Sequence, residues 1–409
     1  MKAYKFSKEK MMDALKSVLP IPLDTYVDRL KNTNDEIKLH GITYISEATK
    51  YLRNETIYEQ VYDWDLYFES IYSTYVGEKG FWHNNIEEFF SRQHENGFIP
   101  RAFGNEIWGK NDPFKPFMAQ IILLGCRQSE NYDFAEKHFV HLEHYLQNYR
   151  EFYDADQNGL CHWLEAGATM DNQHSRVPSD ASGEGVDLNC YLACEYDAME
   201  QLARRIGLPA KAGVYKSLSN KIKQQINRCL WDEDEGIYYD RNEKTGDLIK
   251  VKGVSCFMPL WAGVASKGQA ERLVYEHLTN PKEFWPAYPI TTLAMTEPYY
   301  NQDYDISYCN WNGSTWMPMN YMVFQGLRRY GEHEIAKELA VRCFDMVMIK
   351  NSSTREFYNS DTAEGYGCDP FPGWSSLGYF MLLELALDYN PTDYNQQLIP
   401  VGRILGAGW

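Results

Sequence analysis

Helical segments and long polar loops alternate along almost the whole chain, and this rhythm most constrains the fold. Apolar residues recur at helical spacing in paired segments joined by short turns, such as 116–128 with 133–149 and 310–330 with 332–350. A very apolar helix is predicted over 374–388. No βαβ unit interrupts the rhythm, and no repeat period indicates an open solenoid. The pattern predicts an all-α fold, an (α/α)6 barrel, which is a closed ring of helical hairpins.

Further helices are predicted over 56–76, 187–206, 210–229, 255–265 and 267–278, and a small β-hairpin is predicted within 230–251 around a KTGD turn. In a closed ring of hairpins, the long polar loops gather at one end. No charge block or linker divides the chain. We therefore expect residues 1–409 to form a single catalytic domain, with residues 1–50 as a peripheral N-terminal segment.

Composition narrows the possible partners. The net charge of −17 argues against nucleic acid and against an anionic membrane surface. No run of about 18 apolar residues predicts a membrane-spanning helix. Nine cysteines, odd in number and without a CxxC pair, favour a reducing compartment, so we expect a cytoplasmic enzyme. The 31 Tyr, 19 Phe and 11 Trp suit a sugar partner, because sugar C–H faces stack on aromatic rings.

The loop WLEAGATMDNQHSR, residues 163–176, concentrates polar groups without apolar periodicity. A glycosidase needs a carboxylic acid to protonate the departing oxygen and a second carboxylate on the other face of the sugar. Asp171 lies between Met170 and the amides of Asn172 and Gln173, a setting suited to a catalytic acid. A turn or cap is the other interpretation of a lone aspartate in a loop.

Four other stretches carry candidate site residues. YDWDLYF offers Trp64 and Asp65 to a pocket wall, although Trp64 could equally be core packing and Asp63 a helix cap. The loop at 96–104 offers Arg101, for which turn structure is the alternative role. An aromatic and polar wall is predicted from Trp311 and Trp316. A glycine-rich loop at 354–376 offers Glu356 and Glu364 as carboxylates.

Residues 154–165, DADQNGLCHWLE, match the EF-hand loop pattern from Asp154 to Glu165. The sequence after Glu165 does not continue as a clean helix, and no second loop of this kind is present. A turn stabilised by aspartate and asparagine side chains explains the same residues without calcium. A structural calcium ion at Asp154–Glu165 remains the alternative. We predict no other metal and no cofactor.

Five segments together resemble the serial motifs of family 63 glycoside hydrolases and their trehalase-like relatives. These segments are YDWDLYF, NGFIPRAF, EAGATMDNQHSR, NWNGSTWMPMNY and REFYNSDTAEGYG with FPGWSS, in order from about residue 60 to 385. The resemblance implies an (α/α)6 barrel and inverting hydrolysis of α-glycosides without a required cofactor. The compact length is more similar to the small glycerate-glycoside hydrolases than to the processing glucosidases.

Matching the motifs position by position implies that Asp171 is the general acid and Glu356 the general base. Ala166, Phe357 and Ser360 depart from the family pattern, so Glu364 is retained as the alternative base. The implied substrate-binding residues are Tyr62, Trp64, Asp65, Arg101, Phe103, Glu165, Gly167, Asn172, His174, Arg176, Trp311, Trp316, Glu364 and Trp374.

We therefore expect an inverting hydrolase of an α-linked glucoside or mannoside, such as a disaccharide, a short oligosaccharide or a glycosyl-glycerate. A glycerate aglycone carries a carboxylate and would need a cationic partner. Arg101 or Arg176 could supply the cation, but either arginine could equally be paired with an acid of the protein. One alternative is a sugar epimerase or unsaturated-uronide hydrolase on the same barrel. An epimerase would rely on pairs of histidines as bases, and the histidines near the loops, His162 and His174, have no obvious third partner in the sequence. Another is a non-catalytic sugar-binding protein. The sequence does not predict the oligomeric state.

Overall fold

The computed structural model describes residues 8–39, 60–77, 81–104, 111–154, 156–163, 170, 173–177, 182–303 and 309–408. These residues are mostly helical, as predicted. The α-helices are α1 (Lys8–Val18), α2 (Leu23–Leu39), α3 (Asp63–Val76), α4 (Phe81–Phe90), α5 (Met118–Ser129), α6 (Asp133–Phe152), α7 (Val186–Arg205), α8 (Pro209–Cys229), α9 (Met258–Trp261), α10 (Lys267–Arg272), α11 (Met317–Tyr330), α12 (His333–Phe344), α13 (Pro372–Ser375), α14 (Met381–Leu387) and α15 (Val401–Leu405). Short 3-10 helices cover His174–Arg176, Val254–Phe257 and Ser376–Tyr379, and π-helical turns cover Leu273–Leu278 and Asp345–Lys350.

Six helical segments contact one another in a cycle that returns to its first member. The order is α3, α5, α7, the segment 254–261 that contains α9, α11 and then α13, which packs on α3. In α5 every residue from Met118 to Cys126 is buried. In α8, by contrast, the buried residues are Ala212, Tyr215, Ser219, Ile222 and Ile226, a single face turned to α7. A helix that is buried all round lies inside the ring, and a helix with one buried face lies outside it.

Several predicted helix limits are wrong. The helix expected from residue 56 begins only at Asp63, because Gln60–Tyr62 pairs as a strand with Ala102–Gly104. The segment expected as one helix over 255–265 is a 3-10 turn followed by α9. The last helix is divided into α13, a 3-10 turn and α14. Gly378 lies in this interruption, where an added Cβ would be 3.2 Å from Val347.

The β-structure is larger than the single hairpin predicted. The strands are β1 (Gln60–Tyr62), β2 (Ala102–Gly104), β3 (His162–Trp163), β4 (Gly183–Glu184), β5 (Trp231–Asp232), β6 (Ile237–Tyr238), β7 (Asp240–Asn242), β8 (Leu248–Ile249), β9 (Phe357–Tyr358) and β10 (Gly365–Tyr366). The predicted region holds two antiparallel pairs, β5 with β6 and β7 with β8. Strand β7 also pairs with β4, which extends it to a sheet of order β3-β4-β7-β8. Sequence periodicity missed the rest because most of these strands have only two residues.

The N-terminal helices pack against the body of the protein. Helix α1 contacts α14, and Met11, Leu15, Tyr26 and Leu30 are fully buried. The Tyr26 hydroxyl donates to the carbonyl oxygen of Tyr379 at 3.0 Å. Residues 8–39 therefore contribute to the core, although they belong to the segment expected to be peripheral. The division of the chain into domains stays a prediction.

A cavity of about 590 Å³ lies at the C-terminal ends of α5 and α11. Several of its lining cations have partners within the protein: Lys223 is 2.6 Å from Asp197, and Arg328 is 3.0 Å from Glu384. Arg127 donates to three backbone carbonyls of the segment 391–396. These three side chains are therefore engaged by groups of the protein itself. Within the described residues, no helix is long and apolar enough to cross a membrane.

A buried ion triad joins the loop at 174–177 to the sheet and to α7. Arg176 is 1% exposed, and its guanidinium lies 3.0 Å from Asp187 at the start of α7 and 2.9 Å from Asp240 in β7. Asp240 also accepts a hydrogen bond from the amide of Val186 at 2.8 Å. The triad therefore holds the segment 174–177 against β7 and the first turn of α7.

We expect Arg176→Met to destabilise the protein by about 3–5 kcal/mol, because two buried carboxylates lose their counter-charge. Urea unfolding followed by circular dichroism measures this change. Arg92→Met is the matched control, since Arg92 makes an exposed ion pair with Glu88 that contributes less than about 1 kcal/mol. Equal, small effects of both substitutions would contradict the structural role of the triad.

Candidate active site

Five aromatic side chains from three distant parts of the chain form one continuous wall. Trp311 stacks on Trp316 with ring centroids 3.8 Å apart, and Trp316 stacks on Phe357 at 4.8 Å. Trp64 lies 5.6 Å from Trp311 and 6.1 Å from Trp374. All five are buried. We call these five residues the aromatic wall. The structure thus brings together Trp64, Trp311, Trp316 and Trp374, which the sequence named separately.

Glu356 lies against this wall, directly before Phe357. Its side chain is 3% exposed. One carboxylate oxygen accepts the amide hydrogen of Cys368 at 3.0 Å, and the other accepts the thiol hydrogen of Cys309 at 3.3 Å. The indole nitrogen of Trp374 donates to the Glu356 carbonyl at 2.9 Å. Gly367, with φ +73°, leaves room for the carboxylate, because an added Cβ would lie 2.4 Å from Oε2.

The alternative carboxylate, Glu364, has a different environment. It lies just before β10, the strand that pairs with β9, and its side chain is exposed. Its carboxylate accepts a hydrogen bond from the Tyr366 hydroxyl at 3.0 Å. An exposed carboxylate beside water has less control over its protonation and position than a buried one. The two glutamates of one hairpin are therefore chemically distinct.

The loop that carries Asp171 is anchored on both sides of that residue. Glu165, Gly167, Asp171 and Asn172 lie outside the described residues, and for His174 only the backbone is described. Met170 is 1% exposed and Gln173 is fully buried. The Gln173 amide donates to the carbonyls of Thr292 at 2.9 Å and Trp311 at 2.6 Å. The loop is thereby tied to the backbone of the aromatic wall.

The two arginines considered for substrate binding are paired with acids. Arg176 belongs to the buried triad with Asp187 and Asp240. Arg101 is 4% exposed and lies 3.6 Å from Asp112, with its guanidinium 5.8 Å from the Tyr62 ring. Of the two roles left open by the sequence, ion pairing is the one that the structure shows for both.

Phe103 lies in β2, and Asp65 lies in the first turn of α3. Phe103 packs on Phe89 with centroids 4.7 Å apart and is 8% exposed. Asp65, one residue after Trp64, is partly exposed. Burial raises the pKa of the Asp65 carboxyl well above its usual value, and neighbouring Glu69 raises it further. Asp65 is the predicted binding residue that retains an open side on the helix carrying Trp64.

The DADQNG stretch forms a turn closed by its own side chains. The Asp154 carboxylate accepts the Gly159 amide at 3.1 Å, and Asn158 accepts the Leu160 amide at 2.7 Å. Gly159 has φ +91°. Such contacts are typical of turns stabilised by aspartate and asparagine. No group of three or more metal-binding side chains occurs in the described part of the chain, which leaves out Glu165.

Sequence reasoning overlooked three residues that shape this site: Gln173, Cys309 and Gly367. Gln173 stood inside the polar loop and was treated only as a neighbour of Asp171. The thiol of Cys309 and the space at Gly367 become meaningful only once Glu356 is placed between them. For Gly367, the sequence shows only a glycine eleven positions after a candidate base. That pattern is equally typical of an ordinary turn and of a position that must leave space for the Glu356 carboxylate.

Comparison with known families now adds to this geometry. The family model for the mannosylglycerate hydrolase MGH1-like glycoside hydrolase domain matches residues 58–379. The chain belongs to this glycoside hydrolase family. The family resemblance expected from the sequence motifs is thereby confirmed, and the matched range includes the whole aromatic wall and Glu356.

Curated relatives of this glycoside hydrolase are similar over part of their length. The cytosolic neutral trehalase of Kluyveromyces lactis is 32% identical over 38% of this chain and 20% of its own. The mannosylglycerate hydrolase of Thermus thermophilus is 29% identical over 37% of this chain and 34% of its own. A periplasmic trehalase of Escherichia coli is 22% identical over 75% and 52%. The matches thus span about a fifth to a half of these relatives.

Solved structures share the fold at greater coverage. A GH63 mannosylglycerate hydrolase from Thermus thermophilus, in complex with Tris and D-glycerate, superposes with a TM-score of 0.69 at 18% identity. That match covers 92% of this chain and 99% of the other. The neutral trehalase Nth1 from Saccharomyces cerevisiae gives 0.62 at 17% identity over 85% and 77%. At these identities the likeness establishes the fold.

We expect Gln173→Ala to loosen the loop around residue 171 without unfolding the protein, because two buried hydrogen bonds to the carbonyls of Thr292 and Trp311 are lost. Hydrogen exchange of residues 170–177 should accelerate by about tenfold or more. Gln147→Ala on the outer face of α6 is the control and should leave that exchange unchanged. Unchanged exchange in Gln173→Ala would contradict the anchoring role.

Proposed function

We propose that the protein is an inverting α-glycosidase built on an (α/α)6 barrel, with Glu356 as general base and Asp171 as general acid. The observation that carries the proposal is the buried Glu356 carboxylate, held by Cys309, Cys368 and the space at Gly367 beside a wall of five aromatic rings. The cyclic contacts of the inner helices support the barrel, and they bring the N-terminal ends of α3, α11 and α13 together at this wall.

In the proposed reaction, Glu356 removes a proton from water as its oxygen attacks the anomeric carbon. Asp171 donates its proton to the glycosidic oxygen as the bond to the aglycone breaks. Inversion requires the two carboxyl groups to stand roughly 6.5–9.5 Å apart, with the water between Glu356 and the sugar. The hydrogen bond from Gln173 to Trp311 supports this placement, since it ties the Asp171 loop to the wall that carries Glu356.

The substrate we propose is an α-linked glucoside or mannoside with its non-reducing sugar against Trp64 and Trp374. The names of the relatives suggest trehalose and mannosylglycerate as the first compounds to test. The described cations near the wall, Arg101, Lys115 and Arg176, each lie within 4 Å of an aspartate. Their charge is thus partly neutralised, which favours a neutral disaccharide over a glycosyl-glycerate in this part of the site.

The epimerase alternative gains less support. It relied on His162 and His174 as bases, and His162 lies in β3 with its Nδ1 atom 3.4 Å from Glu243. His162 is therefore part of the β-sheet and pairs with a carboxylate there, whereas the aromatic wall comes from α3, the segment 311–316 before α11, β9 and α13. A buried carboxylate at the wall fits hydrolysis better.

We expect Asp171→Asn and Glu356→Gln each to lower kcat by at least about 10³-fold, because each removes a proton-transfer group. Glu364→Gln is the matched control and should retain near-normal turnover, which distinguishes the two candidate bases. The substrate is found by screening trehalose, other α-linked disaccharides and glycosyl-glycerates. NMR of the released sugars should show the unit attacked by water first as the β-anomer, so trehalose should give one β- and one α-glucose. Initial release of two α-glucoses from trehalose, or of only the α-anomer from another α-glycoside, would contradict inversion.

Gly367→Ala should lower kcat by about 100-fold or more, since the new methyl group displaces the Glu356 carboxylate. Gly331→Ala is a close control: Gly331 has φ +83° but no atom within 4 Å of an added Cβ. Both variants share the backbone strain, so thermal unfolding should shift in both, while only Gly367→Ala loses turnover. Equal turnover in the two variants would show that Gly367 does not position the base.

A further inference from the structure

Helix α3 has two residues that are not buried, Asp65 and Glu69. The other twelve residues of this inner helix are buried. Residues four positions apart lie on one face of a helix, with Cβ atoms about 5–6 Å apart. The partly exposed face of α3 therefore carries two carboxylates, and Asp65 directly follows Trp64 of the aromatic wall.

Glu69 also contacts the turn that holds the proposed base. An added Cβ on Gly373 would lie 3.2 Å from the nearer Glu69 oxygen, so the carboxylate lies against the backbone of α13. The next residue, Trp374, donates to the carbonyl of Glu356. The carboxylate of Glu69 thus adjoins α13, the turn whose Trp374 contacts Glu356.

Neither the Asp65 nor the Glu69 side chain accepts a hydrogen bond or forms an ion pair within the described residues. Two fully buried carboxylates nearby in the core are satisfied: Glu195 of α7 accepts the Ala119 amide at 2.6 Å, and Glu384 of α14 accepts the Tyr321 hydroxyl at 2.8 Å. A largely desolvated carboxylate without a partner is costly. Such a cost is common where a ligand supplies the missing hydrogen bonds.

We propose that Asp65 and Glu69 form a hydroxyl-binding pair, in which Glu69 is a specificity residue for the sugar ring at the aromatic wall. The proposal rests on the proposed function for the identity of the ring as a sugar. A sugar hydroxyl both donates and accepts hydrogen bonds, so two carboxyl groups with one proton between them satisfy it. An anionic group would be repelled there.

The protonation of the pair agrees with this role. Burial raises the pKa of Glu69 to about 7, and it raises the pKa of Asp65 well above the usual range. Asp63 raises the Asp65 pKa further, whereas Lys115 and Arg101 lower it. Sugar binding should therefore weaken as the pH rises through about 7, because the pair loses its remaining proton.

The test compares Glu69→Gln and Glu69→Ala with the wild type and with Glu136→Gln, an exposed glutamate on α6. Binding of D-glucose and D-mannose is measured by NMR titration between pH 5 and 9, alongside kcat and KM on the best glycoside. Glu69→Ala should raise Kd and KM about tenfold. Glu69→Gln should stay within about threefold at neutral pH, since an amide donates and accepts, and should lose the pH step near 7.

Glu69→Ala with unchanged Kd and KM but a lower Tm would overturn the proposal and leave Glu69 a packing residue. A wild type that binds neither monosaccharide would overturn it as well. If the wild type binds sugar but hydrolyses no glycoside, the proposed function is wrong. The comparison of Kd values between wild type and Glu69→Ala then still tests whether Asp65 and Glu69 bind the sugar.

Discussion

The stacked indoles of Trp311 and Trp316 are the contact on which the site depends. Their rings, 3.8 Å apart, stand between Trp64 of α3 and Phe357 of β9. Large aromatic surfaces bury well and hold a fixed geometry. Because the carbonyl of Trp311 also accepts the Gln173 amide, one stack sets the positions of the wall, the proposed base and the loop of the proposed acid.

Charged side chains in the buried interior have partners, in contrast to two carboxylates beside the aromatic wall. Buried ions are paired, as in the Arg176 triad and the contact of Arg328 with Glu384. Unpaired buried charge is expensive, so such pairing is what a stable interior requires. Asp65 and Glu69 are the two partly exposed residues of α3 beside the wall, and neither side chain has a hydrogen-bond or ion-pair partner among the described residues. The missing partners of these two carboxylates distinguish a candidate binding site from the rest of the core more clearly than a cavity volume does.

Much of the secondary structure was predictable, and the errors have physical causes. The apolar run at 116–128 and the dipole-matched charges of 187–206 correspond to α5 and α7. The first strand, β1, was missed because its three residues pair with β2, about forty positions away. Likewise, Arg176 was offered as a ligand for substrate, yet its partners Asp187 and Asp240 lie in separate elements. Pairing between distant segments leaves no periodicity in a sequence.

The sequence by itself determined the helical class, the glycoside hydrolase family and the candidate carboxylates, because spacing and motifs are local properties of the chain. Only the tertiary structure decided which polar residues are engaged and which are open. It buried Glu356 between Cys309 and Cys368, left Glu364 exposed, and opened α3 at Asp65 and Glu69. The burial of an acid and its hydrogen-bond partners depend on contacts between residues far apart in the chain. Burial and hydrogen bonding in turn determine whether the acid is protonated.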